Sequence, residues 1–528
     1  MKNKIYFLIA IITCVSFLLS CNKEFDALKP HNAITQESLL STKDGIKLVT
    51  SSNYANFMSP FGTTAGSQTY NTHGSGSGGS MLEGMIYLNE GLSNNVNVTE
   101  LGLDYGLSIF YYQTGVKDNG FAEGVWQLSY AMIGSCNNVL DAIEKQPTKA
   151  TDKDLMQYKG DNLFIRAYIY YNLAQFFCRP FYDNPSTNMG LPLKLTSDNT
   201  VVTDRGTVKG LYDLIIADLT AAIAVLPDNA VPNRNLANRY ACYGLLSRVY
   251  RDMGGSFTQP NAANNQLAVD NATKILGGSW GGYVPGSDKS DAYIKGMFGV
   301  KPSKDNKEYL WCFDGTIMST NYGNNVTQAY SSDENSWFAT GASYLLSPDL
   351  LSLFDKNNDR RYQYFVGPDP FAYYHTAPWD NDTYTTTKFI TGKYSGTMDI
   401  FGDPTPNPQI RIGEIYLNRA EAYVKLGKSA EALADLNYIR ARAGLAPLTG
   451  LSGQALFNEI LNERRRELVG ESLTGLDNYR NGLPMTRSYT SGFPDKDVRT
   501  IQPNDYRVIF PIPEFEVNVT GVKQNPGY

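Results

Sequence analysis

Residues 321–341 read NYGNNVTQAYSSDENSWFATG and place two kinds of side chain side by side. Tyr322, Tyr330, Trp337 and Phe338 offer flat apolar rings. Asn324, Asn325 and Asp333, with Glu334 and Asn335, offer hydrogen-bonding groups on either side of them. A pyranose has an apolar C–H face that stacks on an aromatic ring, and its hydroxyls need amide or carboxylate partners. A tryptophan in a polar loop is not needed for a helical core. This stretch is therefore the candidate ligand-binding site, with Tyr70, Tyr111 and Tyr112 as the reserve set of rings. Trp311, inside the apolar run YLWCF, reads as core.

Other chemistries find less support. Gly277-Gly278-Ser279-Trp280-Gly281 matches GxSxG in letters. A nucleophile elbow needs a strand before the serine and a helix after it, and here a helix precedes while a Gly-rich turn with Pro285 comes after. His31, His73 and His375 have no ligand spacing and make neither a zinc site nor a Ser-His-Asp set. Cys136, Cys178, Cys242 and Cys312 are dispersed and read as buried apolar residues. Glu459, Glu463 and Glu467 alternate with three arginines at i, i+4 steps, which suits interlocked ion pairs on a helix better than a catalytic pair. No catalytic residue, metal ligand or cofactor site is assigned. A glycosidase needs only two carboxylates at a fixed separation, so a secreted carbohydrate-active hydrolase stays open as an alternative. A helical repeat scaffold that binds only protein is another.

The elements that carry these residues are mostly helices. From Pro408 to Gly444, apolar residues recur at helical spacing in two runs, the first ending at Gly427, a residue suited to a left-handed cap. So short a connection predicts an antiparallel hairpin, with Ala420 and Ala432 where the helices cross and Tyr423 filling the gap. The triplet Ala420, Tyr423, Leu426 is echoed by Ala167, Tyr170, Leu173 and by Ser247, Tyr250, Met253, the pattern of a degenerate tetratricopeptide-like repeat. Further helices are expected over 125–143, 161–177, 211–226, 239–253, 266–276 and 453–469, and a strand over 309–313. The expected organisation is a helical scaffold over about 121–276 and 408–470 with a loop-rich, partly irregular ligand-facing insertion over about 277–407. Residues 62–80, rich in Gly, Ser and Thr, read as a loop without the GK[ST] of a phosphate cradle.

The first 20 residues read as a signal peptide. Lys2 and Lys4 precede an apolar run from Ile5 to Leu19, about 15 residues and short for a membrane span. Leu18-Leu19-Ser20-Cys21 closes it as a lipobox, so the mature chain would begin at a lipidated Cys21. Several acyl chains at about 0.8 kcal/mol per buried methylene would hold it to a membrane. The mature chain is long enough for a large core. The net charge of −6 argues against a nucleic-acid surface.

The motifs FIRAYIYYNLAQFF with GLPL, RIGEIYLNRAEAYVKLG, ALADLNYIRARAG, ILNERRRELVGE and the tail FPIPEFEVNVTGVKQNPGY occur in one order over nearly the whole mature chain. With the lipobox, they make it resemble the SusD/RagB family of outer-membrane nutrient-binding lipoproteins of Bacteroidetes. That resemblance implies a mainly α SusD-like fold built on tetratricopeptide-like hairpins, spanning residues 21–528. It implies a protein that is not an enzyme, is lipid-anchored and surface-exposed at the outer membrane, and captures oligosaccharide for a SusC-like TonB-dependent transporter.

Overall fold

In this computed structural model the described residues are 35–58, 80–98, 107–113, 120–198, 200, 203–228, 233–278, 288–298, 306–313, 344–368, 389–391, 407–492 and 494–528. Helices begin where a short polar side chain can take up the first free N–H groups. Thr42 caps α1 (Lys43–Ala55), and Ser80 caps α2 (Met81–Gly91) in a reciprocal box with Glu83. The long α3 (Gly120–Glu144) is next. Asp152 caps α4 (Lys153–Phe177), Thr207 caps α5 (Val208–Val225) and Asn238 caps α6 (Arg239–Asp252). Asn261 caps α7 (Ala262–Leu276). The hairpin is α8 (Ile412–Lys425) and α9 (Ser429–Arg442), with α10 (Gly453–Leu468) after it. α3, α4 and α7 start earlier than the expected 125, 161 and 266; for α4 and α7 it is the caps Asp152 and Asn261, not the apolar stripes, that mark the start.

Neighbouring helices pack in series, α3 on α4, α4 on α5, α6 on α7 and α8 on α9. α8 also touches α6, α7 and α10, so it is buried on nearly every side. At its end Gly427 adopts φ +74°, and the Lys428 N–H donates to the Tyr423 carbonyl to close the turn. Ala420 and Ala432 are fully buried, as a close helix crossing requires. Tyr423 does not fill the gap: it is only partly buried, with Arg419 and Lys428 over its ring. The buried ring pair of the hairpin is Tyr416 on Tyr438, stacked at 4.0 Å.

The strands are short. β1 (Tyr309–Phe313) pairs antiparallel with β2 (Asn407–Arg411), and β2 runs directly into α8. All five residues of β1 are buried. Trp311 is completely enclosed, with Phe57, Phe164, Tyr168 and Phe313 at its edges and faces.

Candidate functional site

The seven residues expected to bind ligand, Tyr322, Asn324, Asn325, Tyr330, Asp333, Trp337 and Phe338, lie outside the described residues, as do Cys21, Tyr70, Ser279 and the three histidines. The structure does describe the ground from which their segments start. Phe313 ends β1 just before residues 314–343, and its ring is 5.0 Å from that of Phe57. Phe57 in turn stands just before residues 59–79, and its carbonyl accepts from the Leu82 N–H on α2. Tyr344, just after residues 314–343, sets its ring 5.1 Å from Tyr87 of α2, and Phe121, which comes after residues 114–119, stacks on Tyr87 at 4.5 Å. One flank of the aromatic-amide stretch, Tyr344, thus packs on α2, and the other, Phe313, packs on Phe57, which is itself hydrogen-bonded to α2.

Beneath these flanks α2 is buried along its whole length. Glu83, at its third position, accepts from the Ser80 N–H through one carboxylate oxygen, while the other has no hydrogen-bond partner among the described residues. A helix N-terminus favours an anion. Here burial outweighs it and pushes the carboxyl up to about 8, so Glu83 is protonated at neutral pH.

The reserve rings Tyr111 and Tyr112 are not available for stacking. Both are buried. Tyr111 shares a hydrogen bond with Ser491, and Tyr112 donates to the Leu92 carbonyl and meets the Tyr479 hydroxyl.

The charged run of α10 is structural in a different way from the ion-pair ladder expected. Arg466 does pair with Glu459 and Glu463 along the helix, but Glu463 and Glu467 face inward and most of their partners come from other elements. Glu467 binds Arg361, Arg411 and Arg442. Glu463 binds Arg361 and Arg466. Glu308 receives Arg411, Arg442, the Tyr293 hydroxyl and the Gly413 N–H at the start of α8. Glu471 holds Arg411 through both oxygens. Burial would raise the Glu463 carboxyl, but Arg361 and Arg466 outweigh it and hold it below the ordinary range. An acid kept ionised with both oxygens engaged cannot serve as a proton donor. Sequence spacing along one helix could not reveal partners more than 50 residues away.

A second buried cluster ties α6, α8 and α10 together. Arg248 grips Glu414 bidentately at 2.6 and 2.7 Å. Arg480 grips Glu421 the same way at 2.6 Å while its Nε donates to Asp477. Arg464 reaches Asp477 at 2.7 Å. Cys136, Cys178, Cys242 and Cys312 are buried thiols that form no disulfide with one another, and among the described residues no group of acids, cysteines and histidines could hold a metal ion.

Comparison with known proteins agrees with the helical order. Residues 86–251 match the family described as "SusD-like_3: Starch-binding associating with outer membrane", and residues 371–528 match the SusD family. The chain belongs to the SusD/RagB family. It is similar to SusD-like protein P2 of Formosa agariphila, 25% identical over 78% of this chain and 81% of that one. Its fold matches a SusD superfamily protein of Bacteroides thetaiotaomicron (TM-score 0.75, 23% identity, 92% of this chain and 99% of that one). It also matches a SusD-like carbohydrate binding protein of Bacteroides vulgatus (TM-score 0.70, 21% identity, 90% and 96%).

Proposed function

We propose that this protein is a cell-surface lipoprotein that binds oligosaccharide and delivers it to a TonB-dependent transporter in the outer membrane. Family membership over both halves of the chain is the observation that carries this reading, and the family description names starch binding and outer-membrane association. The solved relative from Bacteroides vulgatus is described as carbohydrate binding. Binding, not hydrolysis, also suits the fully engaged state of Glu463 and Glu467 in the charged run of α10.

Within this reading the ligand meets residues 321–341, where Trp337 stacks on a sugar ring, Tyr322, Tyr330 and Phe338 flank it, and Asn324, Asn325 and Asp333 partner its hydroxyls. One flank of that segment packs on α2 through Tyr344 and the other on Phe57 through Phe313, beside the flanks of the Gly/Ser segment, which supports a rigid base for such a site. Cys21 carries the lipid anchor. Calorimetry with a recognised oligosaccharide tests the assignment. Trp337→Ala is expected to weaken binding by about 1–3 kcal/mol, by analogy with bases stacked on aromatic rings. Unchanged affinity would remove this segment from the site.

A further inference from the structure

The turn after α4 and two stretches of the C-terminal region meet at a cleft of about 410 Å³ on the side where α4 ends. One wall is the turn after α4, with Arg179, Asp183, Thr187, Asn188 and Met189. The second is residues 504–509, and the third is the C-terminal tail at Asn525 and Pro526. The volume lies within the range of small-molecule sites.

The walls are held in place before any ligand arrives. Arg179 donates to Asp183 at 2.8 Å, to the Pro503 carbonyl at 2.6 Å and to the Asp505 carbonyl at 3.0 Å, fastening the first wall to the second. Asn525, 3% exposed, donates to the Phe177 and Phe510 carbonyls and accepts from Arg205, fastening the tail to both. Gly527 lies against the Tyr506 ring so closely that a Cβ there would come within 2.5 Å of it. Tyr528 meets the same ring edge-on at 5.0 Å.

Within this frame several groups are left unused. The Tyr506 ring is 44% exposed and lines the cleft. The Asn504 side chain and the side-chain amide oxygen of Asn188 make no hydrogen bond with another described residue, while the Asn188 amide nitrogen is fixed by its donation to the Asp183 carbonyl at 2.6 Å. Met189, Ile509 and Pro526 supply apolar surface. An open ring with free amide groups around it, on a preformed frame, matches the two faces of a sugar.

We infer that this cleft is a second saccharide-binding site, one that takes a single pyranose through Tyr506, Asn504 and Asn188. The inference rests on the reading of the protein as a glycan binder, but it uses no residue of the 321–341 stretch. Saturation-transfer NMR on the mature chain tests it, with the methyl glycosides of glucose, galactose and mannose as probes. Transfer is expected in the wild type and in Trp337→Ala, and its loss in the Trp337→Ala/Tyr506→Ala double variant. Tyr506→Ala in the Trp337→Ala background should raise Kd at least fivefold, whereas Tyr506→Phe keeps the ring and should retain binding. Asn504→Leu, at an exposed residue whose side chain has no hydrogen-bond partner among the described residues, should leave the fold intact and also weaken binding. No transfer to the wild type, or equal transfer to Trp337→Ala and the double variant, overturns the cleft. Transfer already lost in Trp337→Ala also overturns it and leaves the 321–341 site standing. Transfer indifferent to Trp337→Ala but lost in Tyr506→Ala keeps the cleft and removes the other site.

Discussion

At the scale of single residues, burial decides which side chains matter to the fold and which are free for a ligand. Trp311 was legible as core because its neighbours in sequence are all apolar. Tyr423 was misread because helical spacing fixes a stripe but not its width, and this ring falls at the stripe's edge between Arg419 and Lys428. Trp311→Ala should therefore cost about 3–5 kcal/mol, and Tyr423→Ala distinctly less. Denaturant melts of the two variants check the order, and equal losses would contradict it. Glu83 gives a pH test. Its carboxyl is raised from 4.5 to about 8 in the folded protein. Its contribution is whole below about pH 4.5 and is lost as the pH climbs through about 8. Glu83→Gln, which mimics the protonated acid, should match the wild type in acid and become the more stable protein by on the order of a few kcal/mol above pH 8. Melting curves from pH 4 to 9 measure the difference, and a constant offset would rule the assignment out.

At the scale of elements, the apolar stripes were readable and the polar joints were not. α5, α6, α10 and the hairpin appear within a few residues of where their periodicity places them, and β1 spans the run read as a strand. α1 and α2 were missed. α2 is apolar on nearly every face, so it shows little periodicity, and the Ser80-to-Glu83 box was the available signal. The joint between α8, α9 and α10 is ionic, made by Arg361, Arg411 and Arg442 around Glu467, and its members are scattered along the chain. Removing one partner from a buried network leaves unpaired charge, so Glu467→Gln should destabilise by about 3–5 kcal/mol. Gly413→Ala tests the same joint by shape. A Cβ at Gly413 would lie 2.4 Å from Arg411, 2.7 Å from Arg442 and 2.8 Å from Glu467. Both variants should lower the melting temperature, and a wild-type melt for either would show that the network can rearrange freely.

At the scale of the whole molecule, the order of motifs identified the family, while the ligand stayed beyond sequence logic. Recognition of a glycan depends on which side chains from distant segments meet in space, and spacing within one segment does not encode that, as the approach of Phe57 to Phe313 shows. Among the described residues no helix is long and apolar enough to cross a membrane. The anchor proposed at Cys21 rests on the lipobox Leu18-Leu19-Ser20-Cys21. Cys21→Ala should leave the protein unlipidated and free of the membrane fraction, and fatty-acid labelling of that variant would refute the anchor. The central claim is that the chain retains glycan without cutting it. Incubating the mature chain with a panel of plant, host and microbial polysaccharides, then measuring both bound and shortened sugar, tests it most directly. The account predicts a retained polysaccharide of unchanged length, bound without added metal or nucleotide at micromolar to millimolar affinity, roughly as a shallow stacking site allows. Shortened product, or no retention across the panel, would contradict it.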